Sequence, residues 1–261
     1  MAVGLIGGSG LEEFLESSVY RSLDTPYGPV KYIDSEVSGV RVIFIPRHGP
    51  GHEYPPHRVN YRGNIYAFRL LGVDKVIATS AVGGIDESLH PGMMVIVDQF
   101  IDFTKRFITF YDRHVVHVDV SRPYCPAINR ILYRVGRDLG VRVRLGGTYV
   151  CTEGPRFETP AEINMFRLMG ATVVGMTNVP EVVLAREAGL HYSLISIVTN
   201  YAAGMQERVS AEEVVQVMER ATEGVRKIIE SALPEVESGD WADDCIAFRD
   251  EFDRLILGGV G

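Results

Sequence analysis

Ser196-Ile197-Val198-Thr199-Asn200-Tyr201-Ala202 is an apolar, β-branched run that ends on a neutral amide. It closes a strand-like segment, 192–199, and similar Val- and Ile-rich segments recur at 2–6, 40–46, 74–79, 94–98, 145–151 and 172–176. Short apolar runs of this kind read as strands. Helical patterns lie between several of them. Tyr61, Ile65 and Phe68 mark one face after a candidate N-cap, Asn60, and Ile128, Leu132, Val135 and Leu139 mark another. This alternation indicates an α/β fold with a mixed or largely parallel central sheet. In open α/β sheets, ligands bind at the carboxyl ends of strands. Asn200 is therefore a candidate reader of a heterocycle, offering a donor and an acceptor without a charge.

Two capping boxes set helix starts. Thr159-Pro160-Ala161-Glu162 places Pro at the first helical position, and Ser210-Ala211-Glu212-Glu213 opens the longest helix. Val214, Met218, Ala221, Val225, Ile228 and Ala232 run down one side of that helix. The acidic segment 235–244 leads into a last helix over about 245–257, and the terminal Gly258-Gly259-Val260-Gly261 reads as a loose tail. No repeat or linker divides the chain, so residues 1–261 are expected to form a single domain.

A chain of 261 residues can bury a substantial core, and 46% hydrophobic with 23% charged residues describes an ordinary globular protein. The net charge of −8 argues against a broad nucleic-acid or anionic-membrane footprint. Met1-Ala2-Val3-Gly4-Leu5-Ile6 lacks the basic start and the length of a signal peptide, so a cytoplasmic location is expected. Cys125, Cys151 and Cys245 form no CxxC pair and are expected to be reduced thiols; one disulfide is the alternative in a hyperthermophile.

Five segments carry candidate chemistry, and four have polar or glycine-rich residues directly after an apolar strand. Gly7-Gly8-Ser9-Gly10 can bring backbone amides and the Ser9 hydroxyl to an anion, although on the motif alone a tight turn is the favoured reading and the third glycine of a dinucleotide fingerprint is missing. Arg47-His48-Gly49 adds a fixed fork of donors suited to phosphate oxygens. Thr79-Ser80-Ala81-Val82-Gly83-Gly84 adds a third polar strand end. In Glu153-Gly154-Pro155-Arg156-Phe157-Glu158-Thr159, Phe157 can stack on a flat ring and Glu158 can accept from ring N–H groups. Gly175-Met176-Thr177-Asn178-Val179-Pro180-Glu181 places Thr177 to donate to an anion. His52-Glu53-Tyr54-Pro55-Pro56-His57 has one residue too many and two prolines too many for a zinc-protease helix, so no metal site is expected.

Taken in order, these runs together with Thr199-Asn200-Tyr201 resemble the trimeric purine nucleoside and methylthioadenosine phosphorylases. The resemblance implies a three-layer α/β/α fold with a central mixed sheet, a homotrimer or a dimer of trimers, and no metal or organic cofactor. It implies reversible phosphorolysis, in which inorganic phosphate attacks the anomeric carbon as the purine leaves. By position, Ser9, Arg47, His48, Ser80, Ala81 and Thr177 resemble the phosphate site, and Met176 would lie against the ribose. Phe157, Glu158 and Asn200 would hold the base; Asn200, His48 and Glu158 are the candidate catalytic groups. His117 resembles the residue that a neighbouring subunit lends to the 5′ side of the sugar.

Within that family the residues discriminate. Methylthioadenosine phosphorylases usually have Asp-Tyr-Asp where this chain has Asn200-Tyr201-Ala202, and serine where it has Glu158. Both positions match the 6-oxopurine enzymes. Hypoxanthine presents an N1–H donor and an O6 acceptor, which Glu158 and the Asn200 amide complement; adenine presents the reverse. No histidine occurs between Asn200 and Ala232, whereas ordinary purine nucleoside phosphorylases place one there for the 5′-hydroxyl. Val214 and Val215 instead suit an apolar 5′ group, unless both are simply core. The two ends together point to 5′-methylthioinosine, with inosine and guanosine as further substrates. Methylthioadenosine is the alternative substrate, and a non-catalytic nucleoside or phosphate sensor is the alternative class. A hydrolase of the calcium type would need an Asp cluster that is absent from the sequence.

Overall fold

The computed structural model describes residues 2–7, 15, 19–206, 211–241 and 244–258. Its strands are β1 (Ala2–Gly7), β2 (Arg21–Leu23), β3 (Val30–Val37), β4 (Val40–Pro46), β5 (Val73–Gly84), β6 (Met94–Ile96), β7 (Gln99–Phe103), β8 (Val143–Leu145), β9 (Thr148–Thr152), β10 (Val173–Gly175) and β11 (His191–Tyr201). The helices are α1 (Tyr61–Leu70), α2 (Pro126–Asp138), α3 (Pro160–Leu168), α4 (Asn178–Glu187), α5 (Ala211–Ser238) and the single turn α6 (Arg249–Phe252).

All strands join one mixed sheet, and its organisation turns on the long central strand β5. On one edge β5 pairs in parallel with β1, then antiparallel with β10 through Gly83 and Gly84. On the other edge it pairs in parallel with β11 over almost its full length. The sheet therefore forks at the carboxyl end of β5, and the fork opens the space that becomes the site.

Side chains alternate along each strand and sort the core into layers. In β11, Tyr192, Leu194 and Val198 pack with α1 and α4 residues such as Phe68 and Leu184. Ile195 and Ile197 face the opposite way, against Ile128 and Leu132 of α2 and Val225 and Ile228 of α5. Helices thus cover both faces, as the alternating pattern implies. Fully burying a side chain such as Ile228 contributes about 1.5–3 kcal/mol, and this tertiary burial, more than propensity, fixes the helices in place.

Local signals hold at several starts. Asn60 accepts from Gly63 N at 3.0 Å to cap α1. Thr159 and Glu162 form a reciprocal capping box on α3. Two expectations need correction. The segment 145–151 is two strands, β8 and β9, because Gly146 and Gly147 adopt φ of +85° and +157° and turn the chain between them. The last helix is not continuous over 245–257. A 3-10 turn (Asp244–Ile246), α6 and a π turn (Asp253–Leu257) replace it. Tertiary anchors dictate that course: Arg249 donates to Gly189 O, Phe252 is buried, and Asp253 pairs with Arg69. Ser210 of the second capping box lies outside the described residues. Among the described residues no helix is long and apolar enough to cross a membrane.

Candidate active site

A cavity of about 960 Å³ opens at the fork, between the carboxyl ends of β5, β10 and β11 and the first turns of α5. A β-bulge between Val198 and Asn200 shapes its floor. An extra residue there breaks the alternation, so the consecutive residues Thr199 and Asn200 both line the cavity.

Arg47, His48, Ser80, Ala81 and Thr177 all line the cavity, with Arg47 hydrogen-bonded to the strand residue before Ser80 and Ser80 hydrogen-bonded to Thr177. Arg47 follows β4 and is buried. Its Nε and Nη2 donate to the two oxygens of Glu181 at 2.7 Å each, and its Nη1 donates to Thr79 O at 2.7 Å. Of the five guanidinium N–H groups, three are thereby committed. Two remain, held in a fixed plane. Burial opposes the Arg47 charge, but Glu181 more than offsets this and keeps the guanidinium protonated above its usual range. Glu181 is itself fully buried and accepts from Tyr192 Oη at 2.7 Å. Tyr192 in turn accepts from Asn178 Nδ2, and Asn178 accepts from Tyr124 Oη. This chain of buried bonds pre-sets the position of the arginine.

His48 Nδ1 lies 2.7 Å from Tyr54 O. A carbonyl can only accept, so Nδ1 carries the proton and Nε2 presents a lone pair. Burial, then the Arg47 charge, lowers the imidazole to about 4, and His52 stacks on its ring at 4.2 Å. Ser80 Oγ and Thr177 Oγ1 are 3.3 Å apart, and Tyr149 Oη sits 3.2 Å from Ser80 Oγ. Gly175 makes room for that phenol: a Cβ there would lie 2.0 Å from Tyr149 Oη. The Ser80 and Thr177 hydroxyls, the Arg47 guanidinium and the His48 imidazole all line this cavity, a set of groups suited to a tetrahedral oxyanion.

Glu158 and Asn200 bring further polar groups to the lining. Glu158 accepts from Thr152 Oγ1 at 2.6 Å, and burial raises its carboxyl above the ordinary glutamate range. Asn200 Oδ1 accepts from Thr199 Oγ1 at 2.8 Å while Nδ2 donates to Tyr201 O at 2.8 Å. One amide N–H of Asn200 therefore remains for a ligand. Phe157 is 42% exposed, Ala202 is buried, and both line the cavity together with Met176. Arg106 holds this wall together, donating from Nη1 to Met176 O and Val179 O and from Nη2 to Glu153 O.

Helix α5 closes the third side. Its apolar stripe is core at Ala221, Val225, Ile228 and Ala232, with Met218 partly buried against that core. Val214, Val215 and Met218 line the cavity there, and Val215 is 55% exposed. The two valines are therefore not core. His117 is exposed in a loop and does not line the cavity of its own chain. Ser9 lies outside the described residues. Sequence reasoning did not single out Glu181, Tyr192 or Arg106. Glu181 stood in a quoted run, but nothing local shows that it pairs with an arginine 134 positions away.

The phosphorylase superfamily model matches residues 2–234. The chain belongs to the phosphorylase superfamily. This phosphorylase is 48% identical over 243 residues to a probable 6-oxopurine nucleoside phosphorylase of Dictyoglomus turgidum, covering 90% of this chain and 92% of the relative. It is also 48% identical over 240 residues to an S-methyl-5′-thioadenosine phosphorylase of Pyrococcus furiosus, with coverage of 90% and 92%. The methylthioadenosine phosphorylase of Schistosoma mansoni, solved in complex with tubercidin, superposes with a TM-score of 0.88 at 33% identity over 96% of each chain. Overall identity to the two differently named relatives is equal, so base selectivity must be read from individual residues.

Proposed function

We propose that this phosphorylase catalyses reversible phosphorolysis of 6-oxopurine nucleosides and prefers 5′-methylthioinosine, giving hypoxanthine and 5-methylthioribose 1-phosphate. Inosine and guanosine are further substrates. The observation that carries the reading is one cavity lined both by the anion-suited set Arg47, His48, Ser80, Ala81 and Thr177 and by Glu158, Asn200 and Ala202. Ionised Glu158 accepts from purine N1–H, and the remaining Asn200 N–H donates to O6 or N7. Adenine would set its N1 lone pair against the carboxylate, and Ala202 supplies no acid in compensation.

In the reaction a phosphate oxygen forms a bond to C1′ as the C1′–N9 bond breaks. The bonding pair leaves on the purine, where Asn200 meets the developing negative charge, and a solvent proton completes the free base. Positive charge on the sugar faces the phosphate held by Arg47, Ser80, Ala81, Thr177 and Ser9. His48 Nε2 can accept from a protonated phosphate oxygen. Holding both reactants in one geometry supplies much of the acceleration, and the chain needs no nucleophile, metal or organic cofactor for this chemistry. Val214, Val215 and Met218 give the 5′ side an apolar wall that suits a methylthio group.

The proposal includes a cytoplasmic homotrimer or hexamer in which a neighbour lends His117 to the 5′ side. Sedimentation velocity tests the assembly; a monomer at assay concentration would refute it. A second reading, methylthioadenosine phosphorolysis, is favoured by the same valines and by the equal similarity to a relative of that name. The reaction class is tested by following hypoxanthine release from methylthioinosine with and without phosphate. Release at the same rate in phosphate-free buffer would overturn phosphorolysis.

A further inference from the structure

At the amino end of β11, about 30 Å along the strand from Asn200, three soft donors meet. Cys125 precedes the first turn of α2, His191 begins β11, and Cys245 lies in the 3-10 turn Asp244–Ile246. Cys125 Sγ is 3.4 Å from His191 Nδ1, and the three donor atoms all lie within 4.8 Å of one another. The residues are 0%, 3% and 3% exposed. Cys125 N donates to Tyr192 O at 2.8 Å, which ties Cys125 to the strand one residue beyond His191. Trp241 packs edge-on against the His191 ring at 5.6 Å.

We propose that Cys125, His191 and Cys245 bind one Zn²⁺ ion, which ties the C-terminal segment to the sheet. Zinc takes thiolate sulfur at about 2.3 Å and imidazole nitrogen at about 2.0–2.1 Å, which sets tetrahedral edges of about 3.6–3.8 Å. The Cys125–His191 separation already approximates one such edge, and the widest separation closes with a contraction of about 1 Å. Charge selects a divalent ion, and the thiolate–imidazole donor set suits zinc among such ions. Two thiolates and a neutral imidazole cancel a divalent cation, so the loaded site is neutral and tolerates burial, whereas a monovalent ion would leave a buried negative charge. Binding releases the two thiol protons, and a water fills the fourth position. Cys151 is not among the clustered donors: its Sγ accepts from Val179 N, and burial raises its thiol to about 12.

The site is far from the fork that binds substrates, so its role is structural. The test uses the full chain under reducing conditions, loaded with Zn²⁺ and freed of excess ion, with metal content measured by mass spectrometry. One equivalent per chain is expected, together with a higher Tm. Co²⁺ in place of Zn²⁺ should show thiolate charge-transfer absorption and the visible bands of a tetrahedral site. Cys245→Ser should bind at least tenfold more weakly and lose both signatures, while Cys151→Ser, which keeps all three donors, should retain one equivalent. Retained phosphorolysis shows that each variant is folded. Zinc content no higher in the wild type than in folded Cys245→Ser would overturn the proposal. So would a Cys125–Cys245 disulfide in untreated protein combined with no zinc uptake after reduction.

Discussion

Replacing Glu181 with Gln removes the charge from the anchor beneath Arg47 while keeping its volume. Glu181 receives two guanidinium bonds and the Tyr192 hydroxyl bond, all at 2.7 Å and without solvent. Gln retains one acceptor oxygen and turns an NH₂ group toward a guanidinium N–H. Breaking a buried pair costs about 3–5 kcal/mol; because one bond survives, the lower end, about 3 kcal/mol, is expected. The cost falls on an uncompensated Arg47, so an anion in the cradle should relieve part of it. Phosphate at one hundred times its Kd stabilises a folded protein by about 2.7 kcal/mol. If the uncovered guanidinium binds phosphate tenfold tighter, the same concentration adds about 1.4 kcal/mol more to the variant. Urea unfolding of both proteins in chloride and in phosphate, at matched ionic strength, measures the loss and the difference in increments. A loss below about 1 kcal/mol, or equal phosphate increments in both proteins, would refute the claim that Glu181 balances an anion-binding arginine.

Three other outcomes follow from the site. Asn200→Asp sets a carboxylate against Tyr201 O and removes the free N–H, so kcat/KM for inosine should fall by roughly 5- to 150-fold; unchanged kinetics would remove Asn200 from the base site. Because burial raises the Glu158 carboxyl, it protonates earlier than an ordinary glutamate as pH falls, losing its acceptor role toward N1–H and gaining a donor for adenine N1. The inosine-to-adenosine ratio of kcat/KM should therefore decrease on acidification, and Glu158→Gln should flatten that trend. Burial and Arg47 lower His48 from 6.5 to about 4, so between these values the unfolded chain holds a proton that the folded chain does not. Acidification through that window should remove about 3 kcal/mol of stability in phosphate-free buffer; the same slope in His48→Gln would contradict the assignment.

Much of this arrangement was legible because strand ends announce themselves. Buried β-branched runs that stop on hydroxyls, glycines or an Arg-His pair marked β4, β5, β10 and β11, and the fork places those ends around one cavity. Strands with mixed character were harder to see. β2 is exposed, and β3 carries Lys31, Asp34 and Glu36 among its buried residues, so neither shows an apolar run. The stripe on α5 was read as one face, yet its periodicity could not show that Val214 lies outside the core and lines the cavity instead. Pairings between distant residues left no local trace. Arg47 with Glu181, the Arg106 clamp and the meeting of Cys125 with Cys245 all depend on tertiary position.

The central claim is that Glu158, Asn200 and Ala202 select a 6-oxopurine while the α5 valines select an apolar 5′ group. The most direct test compares kcat/KM for methylthioinosine, methylthioadenosine, inosine and adenosine in saturating phosphate. Methylthioinosine is expected first, inosine next, and each 6-oxopurine nucleoside ahead of its 6-amino counterpart by about 5- to 150-fold. Methylthioadenosine ahead of methylthioinosine would contradict the account.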